Sequence, residues 1–250
     1  METRRKEMVN FVNQMGEVNF DTLKKRFPDV SEVTLRKDLK ALDESKRLIR
    51  IYGGAKAIGA AYTSTMNYYA RNVMNSKEKK IIAQKAVKIL EPNSSLYLAA
   101  GSTCSAIAQE LPDIPLKIFT DGLETAINLS KRKSFEVTIL GGQTEVGGMQ
   151  TVGPVTLKEA GELCLDYAFC GTLGYTVGYG FHCFSEHTLA LAKMLNERAR
   201  RLIIVMDSSK IEKANSPYNL EEKYIDMLIT DGMLDKETVM CLEHQNVKVL

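Results

Sequence analysis

No stretch of this chain is long and apolar enough to span a bilayer, and its first residues, METRRKEM, lack the apolar core of an export signal. The expected location is the cytoplasm, with no membrane contact. Cysteine is sparse and unpatterned. Cys104, Cys164, Cys170, Cys183 and Cys241 are odd in number, scattered, and include no C-x-x-C pair. Such residues read as reduced, mostly buried thiols rather than as a disulfide framework. Histidine is scarcer still. His182, His187 and His244 show no ligand spacing, so neither a metal site nor a cofactor is expected.

What is present is the composition of a folded protein, 44% hydrophobic and 26% charged over 250 residues. That is enough for one large or two ordinary domains. The net charge of +2 is unevenly spread. Residues 1–57 carry 13 Lys/Arg against 9 Asp/Glu, a balance of +4, and the remainder carries 20 against 22, a balance of −2. A basic head on a near-neutral body fits nucleic-acid binding by the head.

One stretch organises the rest. SEVTLRKDLKALDESKRL, residues 31–48, reads as one helix with no glycine or proline in it. Leu35, Leu39 and Leu42 recur at the spacing of a buried seam. Val33, Arg36, Lys37 and Lys40 fall on the far side within an arc of roughly 100°. Ser31 stands where an N-cap oxygen accepts from the first N–H groups. A basic face on a narrow apolar seam suits the DNA major groove, with the helix start placing N–H groups near phosphate. An ordinary solvated helix shows the same pattern. The neighbouring elements decide between the two.

Upstream, Met8, Phe11, Val12 and Met15 trace a helical stripe that Gly16 ends. An apolar link through Val18 follows, and Asn19 is placed to cap a second helix, FDTLKKRF, which Pro28 stops. Downstream, RLIRIYGGAK holds a strand-like run, a Gly-Gly turn, and the cations Arg50 and Lys56. Three short helices and a basic hairpin form the order of a winged helix-turn-helix, in which the third helix reads bases and the hairpin holds phosphate. Thr34, Arg36 and Lys37 are the candidate base contacts. Ser31 and Lys40 complete the helix face, and Arg50 and Lys56 are the candidate phosphate contacts.

The run VSEVTLRKDLKALDESKRLIRIYGGA resembles the DNA-binding signature of the DeoR family of bacterial transcriptional regulators. Val30, Ser31, Thr34, Arg36, Lys37, Asp38, Leu39, Leu42, Arg50, Gly53, Gly54 and Ala55 occupy matching places, and Pro28-Asp29 lengthens the family's turn by one residue. The resemblance implies a winged helix-turn-helix DNA-binding domain at 1–57, a partner in double-stranded operator DNA, and a homo-oligomer that presents more than one head.

After a linker at 58–75, apolar runs alternate with helical stretches through 76–250. SLYLAA, LKIFT, EVTILGG, YAFCG, RLIIVMD and DMLITD are the strand candidates. TCSAIAQEL, LETAINLS, TLKEAGEL and HTLALAKMLNERARR lie between several of them. This argues for an α/β body with an open, mainly parallel sheet. Ligands of such sheets bind beyond the carboxyl ends of the strands. Gly101-Ser102-Thr103, Gly141-Gly142, Gly171 and Asp207-Ser208-Ser209-Lys210 stand there, a set suited to a small phosphorylated ligand.

The DeoR resemblance extends through LAAGST, ILGG, VGP, DYAFCGTLG and DSSK. It implies a sensor and oligomerisation domain resembling ribose-5-phosphate isomerase folds, with a phosphorylated sugar or related metabolite as effector. The implied contacts are Gly101, Ser102, Thr103, Gly141, Gly142, Gly171 and Lys210. Two departures touch that site: Ala99 and Asp121 replace the family's Asp and Asn. The first removes an acceptor, and Asp121 brings an anion to the effector edge. Three readings follow: a repressor of a carbohydrate or related pathway, a regulator with a degenerate effector site, or an isomerase-like enzyme using Asp121 or Asp207 as base.

Overall fold

The computed structural model describes residues 2–45, 47–51, 53–56, 71–72, 74–145, 148–212 and 216–250. They fall in two compact units, Met1–Met74 and Asn75–Leu250. Most of the linker assigned to 58–75 lies outside the described residues. Among the described residues no helix is long and apolar enough to cross a membrane.

The first unit opens with α1 (Glu2–Met15), which ends at Gly16 in the left-handed region, φ 73°. Strand β1 (Glu17–Asn19) and helix α2 (Phe20–Arg26) follow, and Asn19 Oδ1 accepts from the Thr22 N–H at 2.8 Å. Helix α3 (Glu32–Glu44) begins at the Ser31 cap. It is shorter than the 31–48 stretch suggested, because the chain folds back after Glu44. The Ser45 hydroxyl and the Arg47 N–H both donate to Leu42 O. Strands β2 (Ile49–Ile51) and β3 (Gly54–Lys56) then form the wing.

Val18, expected as a link, lies in a strand: β1 pairs antiparallel with β3, giving a three-stranded sheet in the order β1-β3-β2. The pairing explains the two glycines. Gly53 turns with φ 75°, and a Cβ on Gly54 would meet Val18 O at 2.0 Å. The core between helices and wing holds Met8, Val12, Val18, Leu23, Phe27, Leu35, Leu39, Leu42, Leu48 and Ala55. So small a core leaves little margin against local errors. Gly54→Ala is therefore expected to destabilise the head by roughly 2–3 kcal/mol. Limited proteolysis of the full chain checks this. Cleavage within 2–56 should accelerate about 30-fold or more while cleavage within 76–250 is unchanged; an unaltered rate in 2–56 contradicts the close approach.

The second unit begins with α4 (Ser76–Val87) and β4 (Ser95–Leu98). Next come α5 (Ser102–Glu110), β5 (Leu116–Thr120), α6 (Leu123–Leu129) and β6 (Phe135–Ile139). A short hairpin, β7 (Gln143–Thr144) and β8 (Thr151–Val152), leads to α7 (Pro154–Gly161) and β9 (Tyr167–Gly171). Strands β10 (Gly174–Thr176) and β11 (Gly180–His182) precede α8 (Glu186–Arg198) and β12 (Leu202–Val205). The chain closes with β13 (Asn219–Leu220), β14 (Met227–Ile229), α9 (Lys236–His244) and β15 (Lys248–Val249).

Seven strands make one wholly parallel sheet in the order β15-β14-β12-β9-β4-β5-β6. All six strand runs read from the sequence lie in it. The seventh, β15, is only two residues long. Both faces are covered, as an all-parallel sheet requires. Leu202 and Ile204 belong to one core, with α7, α8 and α9, while Ile203 and Val205 belong to the other, with α4, α5 and α6. Beside this sheet stands a small antiparallel one, β10-β11-β13, which the sequence did not disclose. Construction starts at β4, proceeds outward to β6, then resumes at β9 on the other flank of β4. The strand order therefore reverses between β4 and β9, the place where such sheets open a crevice.

Cys104 and Cys170 are buried, Cys183 and Cys241 are half-buried, and Cys164 is exposed, so fewer thiols are fully buried than the sequence reading expected. Burial pushes the Cys104 thiol up to about 12, so it stays protonated and unreactive.

Candidate functional site

The head presents α3 by fixing its rotation. Leu35, Leu39 and Leu42 are buried, and so is Asp38, which is 1% exposed. Its carboxylate takes the Arg4 guanidinium at 2.7 Å and Arg5 Nε at 2.8 Å, tying α3 to α1. A buried carboxylate without those partners would be strongly destabilising. The turn between α2 and α3 has its own clamp, since Lys24 Nζ donates to Pro28 O at 2.9 Å and to Val30 O at 2.8 Å. It holds the turn that Pro28-Asp29 lengthens.

With the seam buried, Ser31, Val33, Arg36, Lys37 and Lys40 are exposed and Thr34 is half-buried. Ser31 Oγ accepts from the Thr34 N–H at 3.3 Å and lies 2.9 Å from Thr34 Oγ1, so these two hydroxyls are engaged in the cap. The Arg36 guanidinium lies over the Phe20 ring at 4.3 Å. Stacking holds the plane while leaving edge N–H groups to point outward. Lys40 reaches Glu44 at 3.8 Å, an exposed pair of little energetic weight. On the wing, Arg50 is exposed and its backbone N–H donates to Asp43. Lys56 lies opposite Glu17 across β1 and β3, with Nζ 3.7 Å from the carboxylate. Its charge is thus shared with an anion that sequence reading had not paired with it.

In the body, the carboxyl ends of β4, β9 and β12 come together at the crossing point. Gly101, with φ 146°, leads into α5, whose start has no side-chain cap. The first N–H groups of that helix therefore lack an intrahelical acceptor. Ser102 is 9% exposed and Thr103 3%, so both stand largely buried at the helix start. An anion at this edge would meet the backbone amides beside them. Gly171 ends β9, and space is open where its Cβ would stand. Lys210, in the 3-10 turn Ser208–Lys210 after β12, donates from Nζ to Thr172 O at 2.8 Å and joins the two loops.

Gly141 and Gly142 come from β6, two strands further out. The Gly141 N–H already donates to Glu159 Oε2 at 2.6 Å, and the Thr156 hydroxyl donates to Gly141 O at 2.6 Å. A Cβ on Gly142, whose φ is 139°, would meet Thr156 Oγ1 at 2.3 Å. These glycines seat the turn against α7, and the Gly141 amide is spent on that role.

Asp121, which the sequence reading brings to the effector edge as an anion, is buried there. It is 2% exposed, and Oδ1 accepts the Ala100 N–H at 2.7 Å, holding the ends of β4 and β5 together. Burial pushes its carboxyl up to about 6, opposed by that N–H and the adjacent Tyr97 hydroxyl. The Tyr97 hydroxyl is itself buried beside Asp121 without a hydrogen bond of ordinary geometry. Asp207 is also fully buried. Its Oδ1 accepts from Asn75 Nδ2 at 2.9 Å and from Ser209 Oγ, while Oδ2 has no partner. Asn75, in the left-handed region at φ 51°, begins this unit and also donates to Ser209 at 2.9 Å. The turn that carries Lys210 is thereby tied to the first residue of the body. No sequence spacing marks that contact, which joins residues 75 and 207.

A family model described as the DeoR-like helix-turn-helix domain matches residues 4–60, and one described as the DeoR C terminal sensor domain matches residues 74–232. The uncharacterized HTH-type transcriptional regulator YulB of Bacillus subtilis (strain 168) is 30% identical over 246 residues, covering 98% of this chain and 95% of that protein. The glycerol-3-phosphate regulon repressor of Escherichia coli (strain K12) is 28% identical over 233 residues, 92% of this chain and 90% of that one. Among solved structures, ribose 5-phosphate isomerase A from Methanocaldococcus jannaschii aligns over 56% of each chain at 17% identity and a TM-score of 0.41. Head and body together are those of a helix-turn-helix transcriptional regulator with a C-terminal sensor domain. The chain belongs to the DeoR family.

The buried Asp121 yields a pH test. Its folded-state pKa, about 6, lies above the ordinary 3.8. Its contribution to stability is full below about pH 4 and is lost as pH rises through about 6. Asp121→Asn keeps an acceptor for Ala100 and cannot ionise. The variant is expected to be more stable than the parent by about 1–3 kcal/mol at pH 8, with the gap shrinking to about 0.5 kcal/mol or less by pH 4. Paired thermal melts at the two pH values check this, and an equal gap at both contradicts it.

Proposed function

We propose that this regulator represses a carbohydrate or related metabolic pathway by binding operator DNA as a homo-oligomer, and that a phosphorylated sugar or related metabolite bound in the body sets its operator affinity. The observation that carries the DNA half is the outward face of α3, where Arg36 and Lys37 stand opposite a buried seam fixed by Asp38. Thr34, Arg36 and Lys37 read base edges, Ser31 and Lys40 frame the helix, and Arg50 and Lys56 hold phosphate. Two or more heads are needed, because one small head makes few contacts.

The effector half is supported by the uncapped start of α5 beside Gly171 and Lys210 at the strand-order reversal. Backbone N–H groups at a helix start and a nearby ammonium favour a phosphate group. Similar proteins are named for repression of glycerol-3-phosphate and lactose phosphotransferase systems. The ligand acts by binding the DNA-competent and incompetent arrangements with different affinity.

An enzymatic reading is disfavoured at the same edge. Isomerisation needs a carboxylate base in reach of substrate. Both offered carboxylates are buried, with Asp121 Oδ1 on the Ala100 N–H and Asp207 Oδ1 on Asn75 and Ser209.

Arg36→Ala is expected to abolish specific operator protection in footprinting while leaving the melt unchanged; intact protection would remove α3 from the reading role. Lys56→Ala should weaken binding on every sequence and lower the salt slope by about 0.9. Glu17→Gln, which relieves Lys56 of its partner, should strengthen binding on every sequence by a few-fold at low salt. An unchanged slope and affinity in both variants would exclude the wing from phosphate contact. For the body, a phosphorylated-sugar panel in a thermal-shift assay should include a stabilising member whose effect Lys210→Ala removes. No stabilising member, or a shift that survives the substitution, argues against the site.

A further inference from the structure

Val33 is 64% exposed, and no other large apolar side chain in the described residues 2–56 is exposed. Its angular position is what gives that exposure meaning. At 100° per residue, Val33 lies about 60° from Arg36 and about 40° from Lys37, between the two cations, and about 160–180° from Leu35 and Leu42. It is the apex of the face that the buried seam and the Asp38 clamp turn outward.

A β-branched residue on an exposed helix face adds nothing to helix stability and does not join the head's core. Its flanks, by contrast, are groups suited to guanine edges and phosphate. An apolar side chain between them is suited to the one apolar group that base edges display in the major groove, the thymine C5-methyl. We propose that Val33 is a specificity-determining residue that packs on a thymine methyl, so that each operator half-site carries a thymine beside the bases met by Arg36 or Lys37. This rests on the reading of α3 as the DNA-contacting helix and adds a hydrophobic, cation-independent element to it.

The test uses the full-length chain. Duplexes enriched by the parent from a randomised library define the half-site, and each thymine is then replaced singly by deoxyuridine, which pairs identically but lacks the methyl. The expected result is one thymine per half-site at which the replacement weakens the parent about 3- to 10-fold. Val33→Ala, which removes only exposed methyls and folds as the parent does, should bind thymine and deoxyuridine there within about 2-fold of each other. The proposal is overturned if the half-site holds no thymine, if no deoxyuridine replacement weakens the parent, or if Val33→Ala discriminates as the parent does. Arg36→Ala run in parallel separates the two levels. Loss of enrichment with no Val33-dependent methyl effect removes Val33 alone, whereas retained enrichment removes α3 from the role and the proposal with it.

Discussion

The structure of the head depends on one buried anion. Asp38 lies on the inner half of α3 with Arg4 and Arg5 of α1 on its two oxygens. The leucine seam alone leaves α3 some latitude to roll, since apolar contact is not directional. Two charge-assisted hydrogen bonds to one carboxylate are directional, and they select a single rotation. That rotation turns Val33, Arg36, Lys37 and Lys40 outward together. Lys24 fixes the preceding turn, and the absence of a Cβ at Gly54 lets β1 close on the wing. That outward face is thus a consequence of how the core is locked.

The body follows a different logic, in which chain order rather than one contact places the chemistry. Because the strand order reverses beside β4, the loops after β4 and β9 leave the sheet at the reversal point, and the first of them leads into the start of α5. At this edge several polar groups already brace the loops. Asp121 holds Ala100, Lys210 holds Thr172, and Asn75 holds both Asp207 and Ser209. A ligand entering here would exchange with groups that brace the loops, which would link binding to loop geometry. The Asn75 contact ties the Lys210 turn to the first residue of the unit.

Much of the fold was legible because its signals are local. The caps at Asn19 and Ser31, the α3 seam and the six strand runs each depend on residues within a few positions of one another. What was not legible depends on distance along the chain or on very short elements. Asp38 stood in the sequence only as a place in the family signature, because its partners lie 34 and 33 residues away. β1 and β15 are three and two residues long, too short for alternation to register. At the effector edge, the residue types were visible but their engagement was not. The Gly141 amide is taken by Glu159, 18 residues on, and the buried Asp121 braces Ala100, 21 residues back.

The proposed coupling makes the outward face of α3 the output of the strand-end edge at Lys210. It is tested most directly by operator footprinting of the full-length protein, titrated with whichever phosphorylated sugar raises its melting temperature. The account predicts that the ligand shifts operator protection in the parent and leaves it unchanged in Lys210→Ala, with both proteins protecting the same sequence in its absence. Protection in the parent that is indifferent to a ligand which demonstrably binds would contradict it.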